Sequence, residues 1–407
     1  ARGEFWRPVR VVPRVSVEAS PRVVVWPTRP DGDGSATGGG PDIEVSVRSL
    51  VPDELEARVS LAGGDEARAE PESAVVRLEA AGEREGASFR IVRRSAGSTA
   101  PGIDFRTHRL DARAALERPR DRASGPMPTR GSTDETGWDR SLTLIDYPHI
   151  DPVPLYEDAS IRVEEFPVRI DRERRVGYVM GSGDEVPGAI RQLGPEVEIL
   201  DADRVEEGDY QDLDVIVLGV RAYEVRDDLR SSNARLLEWV REGGTLLVQY
   251  NKYEFEEGGF APYEVTMARP HDRVTDERAP VTRLHPDAPV LDDPNRITDA
   301  DFEGWIQERG LYFLHTWADP FVPVLEMSDP GEEPLRGSLL VAPLGEGLYM
   351  YTGLAFFRQL PAGVPGAYRL FANLLSLEPA AWRTWLERRE RDGSAGPEAG
   401  SSVDGGG

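Results

Sequence analysis

The sequence predicts an α+β multidomain protein, an N-terminal β-sandwich followed by an α/β domain built on a parallel sheet. Three observations carry this. Up to about residue 170, apolar residues recur with a period of two, as in strands with one buried face. From about Glu173 the pattern changes to short, wholly apolar runs alternating with helical segments. The length of 407 residues fits two or three domains at roughly 150 residues each.

The first region, 1–170, reads as an immunoglobulin-like sandwich. Val9, Val11, Val15 and Val17 lead into Val23-Val24-Val25-Trp26-Pro27, and a Gly-rich break follows from Gly32 to Gly40. Ile43, Val45, Val47 and then Leu55, Ala57, Val59, Leu61 alternate with polar residues. Val75 to Leu78, Phe89 to Val92 and Ile103-Asp104-Phe105 are shorter strand runs. The Arg-, Pro-, Ser- and Gly-rich stretch near 117–137 predicts a long mobile loop. Strand patterning resumes at Ser141 to Tyr147 and from Ala159 to Ile170.

The second region, 173–380, opens with the apolar run Arg175 to Met180, ending in Gly181-Ser182-Gly183-Asp184-Glu185. A helix is expected over Val186 to Leu193, closed by Gly194, then a strand at Val197 to Leu200 and another at Asp214 to Gly219. Asn233 to Glu242 places Leu236, Leu237 and Val240 on one helical face, with Gly243-Gly244 as the stop. Thr245 to Tyr250 is the next strand. Residues 256–335 read as an insertion or cap. Ser338 to Ala342 and Gly345 to Thr352 form a hairpin pair, and Gly366 to Leu377 is a closing helix. The Gly-, Ser- and Pro-rich tail 393–407 predicts disorder.

Composition excludes several classes of chemistry. A net charge of −25 argues against nucleic acid, whose phosphates need a basic stripe. The absence of cysteine removes thiol nucleophiles, disulfides and zinc–thiolate sites. No apolar run approaches the ~20 residues of a membrane span. Only one of the 48 basic residues is lysine, Lys252, as a GC-rich genome would produce. The chain begins Ala1-Arg2-Gly3 and reads as a piece of a longer protein.

Ligands of open α/β sheets bind beyond the carboxyl ends of the strands. That rule selects Ser182 and Asp184, then Arg221 and Tyr223, then Asn251 and Lys252, then Phe356, Phe357, Arg358 and Gln359. The same residue types also cap strand and helix ends. Gly181-Ser182-Gly183 lacks the third glycine of a dinucleotide fingerprint, so a tight turn with Asp184 as N-cap is the better account. The segment Asp301 to Gly310 mixes aromatic and hydrogen-bonding groups. Trp305, Gln307 and Arg309 there are candidates for sugar binding, against the alternative that Phe302 and Trp305 anchor the insertion. No histidine pair has metal-ligand spacing. Leu284-His285-Pro286-Asp287-Ala288 resembles a His-Pro-Asp-Asp metal motif without its second Asp, and is read as chance. No Gly-x-Ser-x-Gly elbow occurs.

The run from Val176 to Leu375 resembles the C-terminal region of long bacterial LmbE/PIG-L-type deacetylases. The resemblance is carried by Arg175-Val176-Gly177-Tyr178, Leu218 to Tyr223, Gly244 to Asn251, Gly304 to Phe313 and Phe356 to Tyr368. Asp146-Tyr147-Pro148-His149-Ile150 resembles the linker sandwich of the same proteins. The resemblance implies a zinc deacetylase acting on N-acetylglucosaminyl groups, followed by a β-sandwich and a flavodoxin-like, class I glutamine amidotransferase-like domain. This chain lacks the deacetylase part, so no metal ligand carries over and no cofactor is expected. The family's nucleophilic cysteine has Asn251 and Lys252 in its place, and its His-Glu pair has Ala355, Phe356 and Phe357.

The resulting expectation is a non-catalytic accessory region that supports glycan binding or docking, with the deacetylase domain of the parent protein as partner and an extracytoplasmic location. The candidate ligand-binding residues are Asp184, Arg221, Tyr223, Asn251, Lys252, Trp305, Gln307, Arg309 and Arg358. The competing reading is a hydrolase in which Asp184, Arg221, Lys252 and Glu254 converge. A third is a docking module that presents the aromatics of the insertion.

Overall fold

The computed structural model describes residues 11–28, 40–63, 67–93, 105–116 and 137–393. The loop expected near 117–137 and the tail 393–407 lie outside these residues, apart from Gly137 and Gly393, as do Val9, Ile103 and Asp104. The chain divides into two compact units, Ala1–Phe166 and Pro167–Gly407. The structure is mixed α and β, with several separate sheets.

The first unit contains strands β1 (Val15–Ser20), β2 (Val23–Thr28), β3 (Asp42–Ser49), β4 (Leu55–Gly63), β5 (Ala67–Glu70), β6 (Ser73–Leu78), β7 (Arg84–Arg93), β8 (Arg106–Leu116), β9 (Arg140–Ile145), β10 (Val153–Asp158) and β11 (Ser160–Pro167). One sheet has the order β1-β3-β7-β5 and another β2-β11-β8-β4-β6, while β9 and β10 pair as a hairpin. The strand pairings described within these sheets are antiparallel. Period-two alternation puts one side of each strand inward. Val15, Val17, Ile43, Val45, Val47 and Ile91 from the first sheet share a core with Val59, Leu61, Leu110, Ala112 and Val163 from the second.

The second unit is wound around a seven-stranded sheet. Its elements begin β12 (Arg175–Val179), α1 (Val186–Leu193), β13 (Glu196–Ile199), α2 (Ala202–Glu207), β14 (Val215–Leu218), α3 (Ala222–Val225), α4 (Asp227–Arg241), β15 (Thr245–Gln249) and α5 (Tyr253–Glu257). Then come β16 (Val265–Thr266), β17 (Asp272–Val274), β18 (Val281–Arg283), α6 (Pro289–Asp292), a 3-10 turn (Asp299–Phe302), β19 (Gly310–Phe313), β20 (Thr316–Trp317), β21 (Val322–Pro323) and β22 (Leu325–Met327). The chain closes with β23 (Leu339–Leu344), β24 (Gly347–Thr352), α7 (Phe356–Gln359), α8 (Pro365–Ser376) and α9 (Pro379–Arg391).

The sheet order is β13-β12-β14-β15-β24-β23-β21. The first five strands are parallel, and β23 and β21 continue antiparallel. Strands β14 and β15 are buried at every position, as a parallel sheet covered on both faces requires. Ile216, Leu218, Leu246, Val248, Tyr349 and Tyr351 point into one core with Leu229, Leu236 and Val240 of α4. Alternation turns Val215, Val217, Leu247, Leu348 and Met350, also buried, to the opposite face.

Three differences from the sequence expectations have plain causes. Helix α4 starts at Asp227 rather than Asn233, because Leu229 is the one apolar residue in its first two turns and too little to show a period. Within the expected insertion 256–335, Val322–Pro323 pairs with β23 and so joins the main sheet, too short a strand to show a period. Helix α9 buries only Trp382 and Trp385 in a run of Arg and Glu. No helix of the described residues is long and apolar enough to cross a membrane.

Candidate functional site

The carboxyl ends of β12, β14, β15 and β24 lie along one edge of the sheet. At the first, Asp184 is consumed by structure. Its Oδ1 accepts hydrogen bonds from Tyr178 Oη (2.7 Å) and Val186 N (3.1 Å), and its Oδ2 accepts from Val220 N (3.3 Å). Ser182 N donates to Val220 O at 2.9 Å. The carboxylate thus ties the turn after β12 to the turn after β14. Glycine is needed at Gly181 because a Cβ there would sit 2.0 Å from Val220 O. Asp184 is half-buried and acts as the bracket of two turns.

Beyond β14 the chain bends sharply at Arg221, whose φ is 59°. Its backbone N donates to Tyr250 O at 2.9 Å, which fixes the bend to the end of β15. The guanidinium then forks onto Glu224, with Nε and Nη2 each 2.5 Å from a carboxylate oxygen. Lys252 Nζ reaches the same carboxylate at 3.2 Å. The Arg221 hydrogen bonds, followed by that of Lys252, hold the Glu224 carboxyl down to about 2, against burial. All three side chains remain partly accessible, at 31% for Arg221, 23% for Glu224 and 31% for Lys252.

The insertion supplies the other wall. Leu311 N donates to Gly353 O, Ala355 N to Arg309 O, and Tyr351 Oη to Tyr312 O, so the stretch 309–312 is stitched to the end of β24. Buried Gln359 clamps the preceding loop. Its Oε1 accepts from Ile306 N, and its Nε2 donates to Ile306 O and Glu308 O. Arg358 donates to Glu308 Oε1 (2.7 Å) and Gln307 Oε1 (2.6 Å) and lies over the Phe357 ring at 4.8 Å.

Between these walls runs an aromatic surface. Tyr312 stacks on Tyr250 (5.7 Å between centroids, 10°) and on His271 (3.8 Å, 6°), and Phe357 leans on Tyr250 at 5.4 Å. Burial first, with Arg273 second, lowers the His271 pKa, while Asp272 and Glu308 oppose this. Burial raises the Tyr250 and Tyr312 hydroxyls. Among the described residues, the non-glycine residues with positive φ are Arg221, Gln307 and Tyr312, all in this crevice. Left-handed backbone at bulky residues is costly and gathers at functional sites.

The structure therefore brings Arg221, Lys252, Gln307 and Arg358 together and buries Tyr223, Asn251, Trp305 and Arg309. Tyr223 is fully buried, stacked on Phe260, with its hydroxyl donating to Asn233 Oδ1 at 2.6 Å. Asn251 is 1% exposed and spans Tyr223 N and Gln249 O. Trp305, expected to offer a ring for stacking, packs among Phe302 and Phe356 and donates to Asp301 O. Arg309 is buried and donates to the Ala279 and Phe302 carbonyls, with burial lowering its pKa to about 10. These four hold the crevice together from behind. Glu254 lies exposed on α5.

Glu224, Tyr250, Tyr312 and His271 also line the crevice, and the strand-end rule does not select them. His271 carries no local signal, because stacking brings it to the crevice from the insertion. The His285-Pro286-Asp287 stretch anchors α9: His285 packs on Trp385, and Asp287 Oδ2 accepts from Trp385 Nε1 at 3.0 Å. Among the described residues, no group of three or more His, Asp or Glu is placed to hold a metal ion.

No protein-family model matches the chain, and no curated protein matches it. Solved structures with some likeness include a β-galactosidase from Rahnella sp. R3, at 17% identity and TM-score 0.31, covering 50% of this chain and 32% of that one. The chain thus spans about a third of that enzyme. A cytoplasmic protein from Salmonella typhimurium LT2 gives 12% identity and TM-score 0.32, covering 58% and 94% of the two chains. A ThuA-like protein from Bacteroides uniformis ATCC 8492 gives 10% identity and TM-score 0.34, covering 52% and 95%.

Proposed function

We propose that the chain is a non-catalytic, carbohydrate-binding accessory region from the C-terminal part of a long LmbE/PIG-L-type deacetylase. In this reading the first unit is an immunoglobulin-like β-sandwich. The second is a flavodoxin-like, class I glutamine amidotransferase-like module whose catalytic elbow has been lost. The partner is the deacetylase domain of the parent protein, and the location is extracytoplasmic.

One observation carries the binding role. The crevice at the carboxyl edge combines the rings of Tyr250, Tyr312, His271 and Phe357 with polar groups already fixed by one another. A sugar presents a C–H face to such rings and hydroxyls to such fixed groups, so the site needs little ordering on binding. The lack of catalysis rests on the elbow. Asn251 is bound on both ends of its amide, and Lys252 is engaged by Glu224.

Titration of the chain with a panel of neutral and acidic oligosaccharides tests this. Binding of at least one sugar is expected, weakened about tenfold by Tyr312→Ala, roughly the worth of one aromatic contact. Absence of binding across the panel refutes the role. Turnover of a bound sugar or amide by the purified chain refutes its non-catalytic character.

A further inference from the structure

The crevice also selects charge. Resting on the carbohydrate reading above, the geometry points to a sugar ring bearing a carboxylate, such as a uronic acid, as its ligand.

Three cations, Arg221, Lys252 and Arg358, come together at the aromatic wall with two carboxylates, Glu224 and Glu308. In a chain of net charge −25, these five side chains together carry one positive charge. Both Tyr250 and Tyr312 feel it. Arg221 and Arg358 each pull the Tyr250 hydroxyl down more than Glu308 pushes it up. Lys252 and Arg221 each outweigh Glu224 at Tyr312. The two hydroxyls flank the aromatic wall where the ring would lie.

The shape of the anion is also given. Glu224 shows what the cation pair accepts: a carboxylate taken bidentately by Arg221 at 2.5 Å on both arms, with Lys252 added at 3.2 Å. A planar fork of this kind matches a carboxylate. The fork uses Nε and Nη2 of Arg221, and Lys252 spends one of three ammonium hydrogens on Glu224. Arg221 Nη1 and the other Lys252 hydrogens are the donors for a ligand. Arg221 holds its φ of 59° at this position, a conformation that costs a bulky residue, and its backbone is tied to Tyr250, whose ring forms the crevice floor.

The test compares cellobiose with cellobiouronic acid, which differ in oxidation of one hydroxymethyl group to a carboxylate, and includes acetate as a carboxylate without a ring. Calorimetric titration of the full chain is expected to give at least tenfold tighter binding of the acidic disaccharide. That preference should shrink severalfold between 50 mM and 500 mM salt. Lys252→Met and Arg221→Gln should abolish the preference. Glu224→Gln, which releases both cations, should tighten the acidic sugar severalfold and change cellobiose by a smaller factor. Equal affinity for the two disaccharides overturns the charge selection and leaves the carbohydrate reading standing. Binding of acetate as tight as that of the acidic sugar also overturns it, and so does an unaltered preference in Glu224→Gln. Binding of neither disaccharide, with no binding across the wider panel, removes both proposals.

Discussion

The insertion that forms one wall of the crevice hangs on a buried ion pair, and Arg369→Met measures it. Arg369 Nε donates to Asp301 Oδ1 at 2.6 Å, with side-chain exposures of 5% and 0%. The guanidinium also donates to Pro167 O (2.7 Å) and Arg296 O (2.9 Å). Asp301 Oδ2 accepts from Thr298 N and Thr298 Oγ1, closing the cap of the 3-10 turn. Methionine would leave the carboxylate dry, with Thr298 as its remaining donor, and would orphan two carbonyls. Breaking a buried pair on one side costs about 3–5 kcal/mol. In the double variant Asp301→Asn/Arg369→Met the stranded charge is gone and the two lost carbonyl bonds remain, at about 1 kcal/mol each. The double variant should therefore be about 1–3 kcal/mol more stable than Arg369→Met alone, well short of the sum of the two single costs. Urea unfolding of the full chain, followed by the fluorescence of its eight tryptophans, reads these values. A single-variant cost under about 1 kcal/mol, or strict additivity, refutes the reasoning.

Two further outcomes follow from the crevice. Because Glu224 titrates at about 2, below its ordinary 4.5, its ion pairs contribute stability that is complete above pH 4.5 and is lost as pH falls toward 2. Glu224→Gln should flatten the acid limb of a stability–pH profile in that window and leave its slope near neutrality unchanged; an unchanged acid limb counts against the assignment. Gln307→Gly should relieve a φ of 65° and raise stability by roughly 0.5–1 kcal/mol, read as a higher unfolding midpoint, while weakening sugar binding through loss of its bond to Arg358. Lower stability in this variant would show that the left-handed turn carries no strain.

The two patterns of the chain are written locally, and so they read directly. Period-two alternation fails as a guide only where an element is very short or polar: Ile43, Val45 and Val47 face one core as their spacing requires, whereas Val322–Pro323 gives no period at all. The strand-end rule leads to Arg221, Lys252 and Arg358 because it depends on topology alone. It does not tell an inward side chain from an outward one. Tyr223 and Lys252 both follow strand ends, yet Tyr223 stacks on Phe260 in the core while Lys252 meets Glu224 at the surface. That choice is made by partners distant in sequence. The same holds for Arg309, whose charge suggests a ligand but whose guanidinium is spent on the carbonyls of Ala279 and Phe302. Nor does an Arg, Gln or Tyr announce a left-handed backbone, as a glycine would.

That last point bears on why the crevice is where it is. Backbone strain persists only where the surroundings over-determine it. Here each strained residue is held from outside itself. Arg221 is held by its own N–H on Tyr250 O, Gln307 lies in the loop clamped by Gln359, and Tyr312 is pinned through its carbonyl by Tyr351 Oη. Tyr351 and Gln359 are completely buried, anchored in β24 and α7. The core therefore supplies the stability that the three residues cost, roughly 1 kcal/mol or more apiece. A fold with no use for this edge could relax the bends with glycine at each position. Three bulky side chains forced into one conformation around one aromatic wall instead fix a guanidinium, an amide and a phenol ahead of binding, which is the condition for recognising a polar ring without ordering the site around it.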